Sequence, residues 1–266
     1  MIARVFPSKT SATPADALAF VGEPKALIPG LKAVHVSVTF SWDIPEARRL
    51  ANLWESVQRV PTHIGGPALG DAGNRFVPGM YLKPGYVLTS RGCPNNCWFC
   101  VVPKREGPIR ELPVADGFNI LDSNFLATSS EHQARVFGML SRQKRRPVFS
   151  GGLEARLLTA SMALRLRQIG TERLYCAYDT PDDLEPLREA GKILQAVGFS
   201  KKHHLFAYVL MGFPRDTEDD FLRRKDETWA AGFMPMAMRW RDPNQPDWEK
   251  LARKWARPAY MRRNLP

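Results

Sequence analysis

The sequence predicts an α/β protein with a parallel sheet. Short β-branched and apolar runs recur along the chain, stretches of about 12–16 residues with apolar side chains at helical spacing lie between them, and Gly, Pro and Asp mark the junctions. Six strands separated by helices fit a parallel sheet that is open or curled into a partial barrel. In either form the chemistry gathers at the C-terminal ends of the strands.

Taken in order, the first thirty residues are rich in Pro, Ser and Thr without a sustained period, so extended or irregular structure is expected there. Val34-His35-Val36-Ser37-Val38-Thr39-Phe40 reads as a buried strand. Asp43 precedes Pro45, and Ala47, Leu50, Leu53, Trp54 and Val57 follow at helical spacing. A short strand at Thr62–Ile64 runs into Gly65-Gly66-Pro67 and completes a β-α-β unit. Gly70 to Pro84 reads as a linker. Further strands are expected at Tyr86–Thr89, Phe118–Leu121, Val148–Phe149, Arg173–Tyr178, Leu205–Met211 and Met234–Met238. Helices fit near Glu131–Gln143, Leu158–Ile169, Asp183–Val197 and Thr217–Ala231. Trp248, Leu251 and Trp255 then mark a closing helix, followed by a basic run from Arg257 to Arg263. The expected division is an α/β extension over 1–84, a β/α body over 85–240, and a C-terminal helix with a basic tail over 241–266.

Composition narrows the function classes. The chain has 266 residues, one large domain or two modest ones on a prior of roughly 100–200 residues per domain. Hydrophobic residues make up 44%, which excludes overall disorder. A formal charge of +11 favours an anionic partner. Apolar runs fall far short of the roughly 20 residues that cross a bilayer, so no membrane contact is expected. Met1 to Pro14 lacks the apolar core and small-residue cleavage site of a secretory signal, so no such signal is expected.

Three of the four cysteines sit together in Gly92-Cys93-Pro94-Asn95-Asn96-Cys97-Trp98-Phe99-Cys100, a Cys-x3-Cys-x2-Cys spacing on a loop after a strand. Three thiolates on one loop can face a common centre, and soft sulfur selects zinc, copper(I) or an iron–sulfur cluster. Structural zinc wants a closed set of four ligands, and no fourth Cys or His lies nearby. Three thiolates on a four-iron cluster leave one iron open to a small molecule. The remaining cysteine, Cys176, lies mid-strand and reads as a small buried hydrophobe.

The cysteine spacing, with an aromatic before the last cysteine, resembles the signature of the radical S-adenosylmethionine superfamily. The resemblance extends over Gly85 to Met238 and implies a partial (β/α)6 TIM-like barrel. Phe118 to Phe125 resembles the second strand with its acidic end, Tyr175 to Asp179 the fourth, and Met211 to Thr217 the Gly-x-Pro-x-(acid)-Thr turn after the fifth. These parts are most similar to the branch that often carries a cobalamin-binding domain, and the whole to short proteins of phages and prophages.

That resemblance implies that Cys93, Cys97 and Cys100 bind a 4Fe–4S cluster whose open iron chelates S-adenosylmethionine. An electron would cleave this compound to methionine and a 5′-deoxyadenosyl radical, which abstracts hydrogen from a substrate. It also implies an electron donor such as a flavodoxin or ferredoxin. Phe99 would meet the adenine edge through its backbone. Asp122 and Asn124 would hydrogen-bond the amino group, or else cap the next helix. Glu154 and Arg156 would pair with the ammonium and carboxylate of the methionine end, or form ordinary ion pairs with neighbours. Asp179 would bind the ribose, or cap the helix ahead of Pro181. Gly212 would let backbone approach the adenine, or simply turn the chain. No particular residue is singled out as the catalytic acid or radical quencher.

Val34 to Pro67 resembles the later half of a cobalamin-binding domain. About thirty residues precede it, too few for the missing strands and helices, and the Asp-x-His-x-x-Gly ligand motif is absent, so a truncated remnant is expected. The basic runs Lys104-Arg105, Arg142 to Arg146 and the C-terminal arginines suit a nucleic-acid or nucleotide substrate. Transfer-RNA methylthiotransferases usually add N-terminal cysteines and a C-terminal RNA-binding domain, which sets that reaction aside. The competing class is a zinc-stabilised nucleic-acid-binding protein.

Overall fold

The structure, a computed structural model, describes residues 1–70, 76–240 and 248–265. Residues 71–75 of the expected linker and 241–247 of the expected C-terminal segment lie outside the described residues. The chain forms two units, 1–117 and 118–266. Both are α/β with parallel sheets.

In the first unit, β1 (Ile2–Phe6), β2 (Ala19–Val21), β3 (Ala33–Ser37) and β4 (Thr62–Gly65) form a parallel sheet of order β2-β1-β3-β4. Helix α1 (Ile44–Gln58) connects β3 to β4 and starts with Pro45 in its first turn, where a missing N–H costs nothing. Its apolar stripe, Ala47, Leu50 and Trp54, packs on Ala3, Val5, Val34, Val36 and Val38, all essentially inaccessible to water. Trp54 Nε1 donates to the Gly22 carbonyl at 2.9 Å. The side chain of Gln58 donates to the Ala26 carbonyl and accepts from the Ile28 N–H. Two side chains of one helix thus satisfy the backbone of the irregular segment after β2.

The β-α-β unit matches expectation, and the first thirty residues, expected to be extended or irregular, are extended in part. They supply β1 and β2, each too short to show a period. Their strand state comes from the ladder: β1 pairs with β2 through Arg4↔Ala19 and with β3 through Ala3↔Val34. Two short parallel strands therefore precede β3, and among the described residues no helix joins them.

Three short pieces follow in the same unit: β5 (Tyr86–Val87), β6 (Ser90–Arg91) and, after α2 (Val102–Glu106), β7 (Arg110–Glu111). Strands β6 and β7 pair antiparallel.

The second unit alternates β8 (Asn119–Ile120), α3 (Ser130–Ser141), β9 (Val148–Phe149), α4 (Ala160–Gln168), β10 (Arg173–Tyr178), α5 (Leu184–Ala196), β11 (Leu205–Met211), α6 (Glu218–Ala230) and β12 (Met234–Arg239). The strands are parallel, in the order β12-β11-β10-β9-β8. The central strand β11 is buried at six of its seven residues, as befits a parallel strand covered on both faces. Helices α3, α4 and α6 are capped by Ser129, Thr159 and Thr217, each accepting a backbone N–H of the first turn. The closing helix is observed as α7 (Glu249–Trp255), followed by α8 (Pro258–Asn264). Trp248, Trp255, Met261 and Leu265 join Phe206, Met211, Phe221 and Met234 in one core.

Gly191 marks the closest approach within this unit: a Cβ there would lie 1.9 Å from the Ala231 carbonyl oxygen. Gly191→Ala should destabilise by about 1–3 kcal/mol through overpacking. Gly138→Ala in α3, where a Cβ would meet only the Arg142 side chain at 3.8 Å, should stabilise by up to about 1 kcal/mol through helix propensity. Urea denaturation of the two variants checks both signs.

Candidate active site

The cysteine loop belongs to the first unit and is tied at its base by the β6–β7 pairing, Ser90↔Glu111 and Arg91↔Arg110. Leu112 N donates to the Thr89 carbonyl at 2.8 Å and extends the clamp. Gly92 then turns the chain at φ 82°, and a Cβ there would lie 2.2 Å from the Pro108 carbonyl oxygen, so only glycine fits. Cys93 N donates to the Gly107 carbonyl at 3.2 Å. Cys100 N donates to the Cys97 carbonyl at 3.0 Å, closing a tight turn over Trp98 and Phe99. All three cysteines are half-buried, as is Phe99, whose ring meets Trp98 edge to face at 5.4 Å.

Beneath the loop lies a residue that the spacing argument missed. The Glu106 carboxylate is 3% exposed. It accepts from Gly92 N at 3.2 Å and from Arg105 Nη2 at 2.7 Å, with Arg91 Nη1 at 3.6 Å. One carboxylate thus joins the first residue of the loop to the helix that follows it. An acid set among Lys104, Arg105 and Arg110 was the available signal, but it reads locally as surface charge.

The donor set itself fits an iron–sulfur cluster: three soft sulfurs on one short loop. Among the described residues no three Cys, His, Asp or Glu are grouped to hold a single metal ion. A multi-iron cluster makes no such demand, because its thiolates bind different irons. Cys176 is a different case: burial pushes its thiol up to about 12, so it stays protonated and inert.

In the second unit the expected polar residues lie at the C-terminal ends of strands. Asp122 and Asn124 follow β8, both buried. Asn124 Nδ2 donates to Glu154 Oε2 at 2.6 Å, which brings two of the expected site residues together. Neither serves as the cap of the next α-helix, since Ser129 takes that place. The Glu154 loop is held against the sheet by Leu153 N, which donates to the Tyr175 carbonyl at 2.7 Å. It is also pressed onto β8 through Gly151, where a Cβ would come within 2.3 Å of the Asp122 carbonyl oxygen.

Arg156 goes elsewhere. Its Nη2 donates to the Asp182 carbonyl at 2.7 Å and to Asp183 Oδ1 at 3.2 Å, and its side chain is 47% exposed. The ordinary ion pair is what the structure contains, made with the start of α5 rather than with Glu154.

Asp179 ends β10. The cap ahead of Pro181 is Thr180, in a capping box with Asp183. Asp183 Oδ2 accepts from the N–H groups of Asp179 and Thr180, so the Asp179 carboxyl is not needed for capping. Its Oδ1 is buried without a hydrogen-bond partner. Burial, then the Asp183 charge, push its pKa up to about 7, against the opposing pull of Arg224. A buried, unsatisfied acceptor at a strand end is a binding-site signature.

Gly212 turns at φ 74°, and a Cβ there would lie 2.7 Å from the Trp248 ring. Its N–H donates to Asp216 Oδ2 at 2.8 Å. Arg224 Nη2 contacts both Asp216 oxygens, at 2.8 and 2.9 Å, and the Leu210 carbonyl at 2.9 Å. This buried pair anchors the turn; Asp216 was visible in the motif, Arg224 was not.

Two outcomes are expected. Asp179 has a raised pKa in the folded state, so it holds a proton there that the unfolded chain releases, and stability falls as pH rises from about 4 to 7. Asp179→Asn should therefore gain stability over the parent at pH 7 and not at pH 4, as read by thermal melts at both. Glu106→Gln leaves Arg91 and Arg105 without their counter-charge and should cost a few kcal/mol (on the order of 3). It should also speed tryptic cleavage at Lys104 and Arg105, measured by limited proteolysis.

No protein-family model matches the chain. Among curated proteins it is similar to the ribosomal protein uS12 methylthiotransferase RimO of Actinobacillus succinogenes, at 27% identity over 188 residues, covering 54% of this chain and 42% of the relative. The same enzyme of Dechloromonas aromatica is 29% identical over 157 residues, covering 54% and 35% respectively. That of Paramagnetospirillum magneticum is 29% identical over 206 residues, covering 60% and 45%. The chain thus spans less than half the length of these methylthiotransferases.

Proposed function

We propose that the chain is a radical S-adenosylmethionine enzyme. The observation that carries the reading is the clamped Cys93–Cys97–Cys100 loop, which offers three thiolates and leaves the fourth position of a four-iron cluster to a small molecule. Similarity to methylthiotransferases over about half the chain supports the same class of chemistry. We take the parallel β/α array as part of a partial (β/α)6 barrel, and residues 1–84 as a truncated remnant of a cobalamin-binding domain. A reducing cytoplasm and a flavodoxin-like or ferredoxin-like donor complete the reading.

When bound, a 4Fe–4S cluster supplies the electron for reductive cleavage of S-adenosylmethionine to methionine and a 5′-deoxyadenosyl radical. The chain's own residues bind, orient and exclude water. Cys93, Cys97 and Cys100 hold the irons, and Glu106 keeps their loop in shape. The Asn124–Glu154 pair, with Asp122, receives the ammonium of the methionine end; a carboxylate and an amide oxygen in a buried setting suit a cation. Asp179 offers its unsatisfied oxygen to a ribose hydroxyl. The Phe99 backbone meets the adenine edge, and Gly212 permits close backbone approach to it. Arg156 stays with Asp182 and Asp183 and is not counted among the groups that meet the methionine end. The substrate is anionic, a nucleic acid or nucleotide, in keeping with the +11 charge.

The zinc alternative needs a closed four-ligand set, and no fourth Cys or His lies near the three cysteines in sequence. Anaerobically purified, iron-reconstituted and reduced protein should be brown and should release 5′-deoxyadenosine from S-adenosylmethionine, detected by chromatography. Cys97→Ala should lose both colour and product. A colourless protein with one zinc per chain, or a brown one that never cleaves the compound, overturns the reading.

A further inference from the structure

Helices α7 and α8 enclose a cleft of ≈ 490 Å³ lined by Glu249, Lys250, Arg253, Lys254, Arg257 and Tyr260. Four cations face one carboxylate. Glu249 is engaged by Arg253 and by Arg239 Nη1 at 3.7 Å, so it cancels none of Lys250, Lys254 or Arg257. The ring of Tyr260 rests edge-to-face on Trp255 at 5.1 Å, with Lys254 Nζ 5.3 Å from its centre.

The apolar side chains of this segment point the other way. Trp255, Met261 and Leu265 are buried in the core of the second unit. What remains outward is charge, and Tyr260, half-buried against the same core, lines the cleft. A membrane surface is a poor match, because insertion needs apolar side chains on the exposed face. An acidic peptide would satisfy the cations and leave the ring unused. A single-stranded nucleic acid uses both, its phosphates on the cations and a base on the aromatic face.

We propose that the α7–α8 cleft binds the backbone of a single-stranded nucleic acid, through Lys250, Arg253, Lys254 and Arg257, with a base against Tyr260. The inference rests on the radical-enzyme reading only in naming the class of substrate that such an enzyme would engage. The recognition is electrostatic with one stacking contact, so it predicts affinity for the strand rather than for a sequence.

The test is fluorescence anisotropy of a short labelled oligouridine with the full chain across a salt series. About three neutralised phosphates, at the cations that Glu249 does not engage, give a slope of log K against log salt near −2.1, at ~0.7 per phosphate for single strands. Lys250→Gln combined with Arg257→Gln, both at exposed positions, should reduce that slope by about 1.4 and weaken binding roughly tenfold at ~0.15 M salt. Tyr260→Leu should weaken binding about fivefold or more with the slope unchanged. Unaltered affinity in the double variant overturns the proposal, and so does polyglutamate displacing the oligomer equally well, charge for charge. Iron content and S-adenosylmethionine cleavage of the parent are measured separately. A protein that cleaves the compound but ignores the oligomer refutes the cleft alone; one that binds the oligomer but carries no iron refutes the cluster alone.

Discussion

Parallel strand pairing is the constraint on which the second unit depends. Neighbouring strands that run the same way bring their C-terminal ends to one edge, and each end must hand its chain to a helix. Asp122 and Asn124 follow β8, Glu154 follows β9, Asp179 closes β10, and Gly212 follows β11. The register Leu174↔Phe149 and Tyr178↔Val209 holds those ends level. Residues some thirty positions apart, such as Asn124 and Glu154, meet only for that reason. The same pairing leaves helix N-termini beside them, closed by Ser129, Thr180 and Thr217.

Buried acids in the two units differ in how far the fold itself satisfies them. Asp216 and Arg224 are both nearly inaccessible and satisfy each other, the Gly212 N–H and the Leu210 carbonyl. Glu106 is likewise occupied, by two guanidiniums and a backbone N–H. These carboxylates support turns. Asp179 differs, because the capping work around it is done by Thr180 and Asp183. An acid kept in such a place, with its pKa raised toward neutrality, is costly to the fold.

The curated relatives are methylthiotransferases, matched over about half of this chain. The transfer-RNA branch of that chemistry is the one that cysteine counting set aside, and the relatives act, by their name, on a ribosomal protein. Similarity at under 30% identity carries a chemical class more readily than a substrate. The cysteine loop is local, a spacing within eight residues, while a substrate surface is spread over many elements. The α7–α8 cleft is likewise assembled from more than one element, by charges on two short helices whose apolar sides are committed to the core.

The order of β-α elements from Val34 onward, the helix ends and the cysteine spacing are local properties, and the sequence determined them. Periodicity, capping residues and turn chemistry act within a few residues of each other. Strands β1 and β2 were not legible, since so short a segment becomes a strand only when a neighbour pairs with it. Nor were the partners of charged groups: Arg156 turns to Asp183 instead of Glu154, Glu106 lies under the cysteine loop, and Arg224 reaches Asp216 from the next helix. Only the tertiary structure decided these pairings. Desolvation and counter-charge are set by what the fold brings near, and chain proximity says little about that.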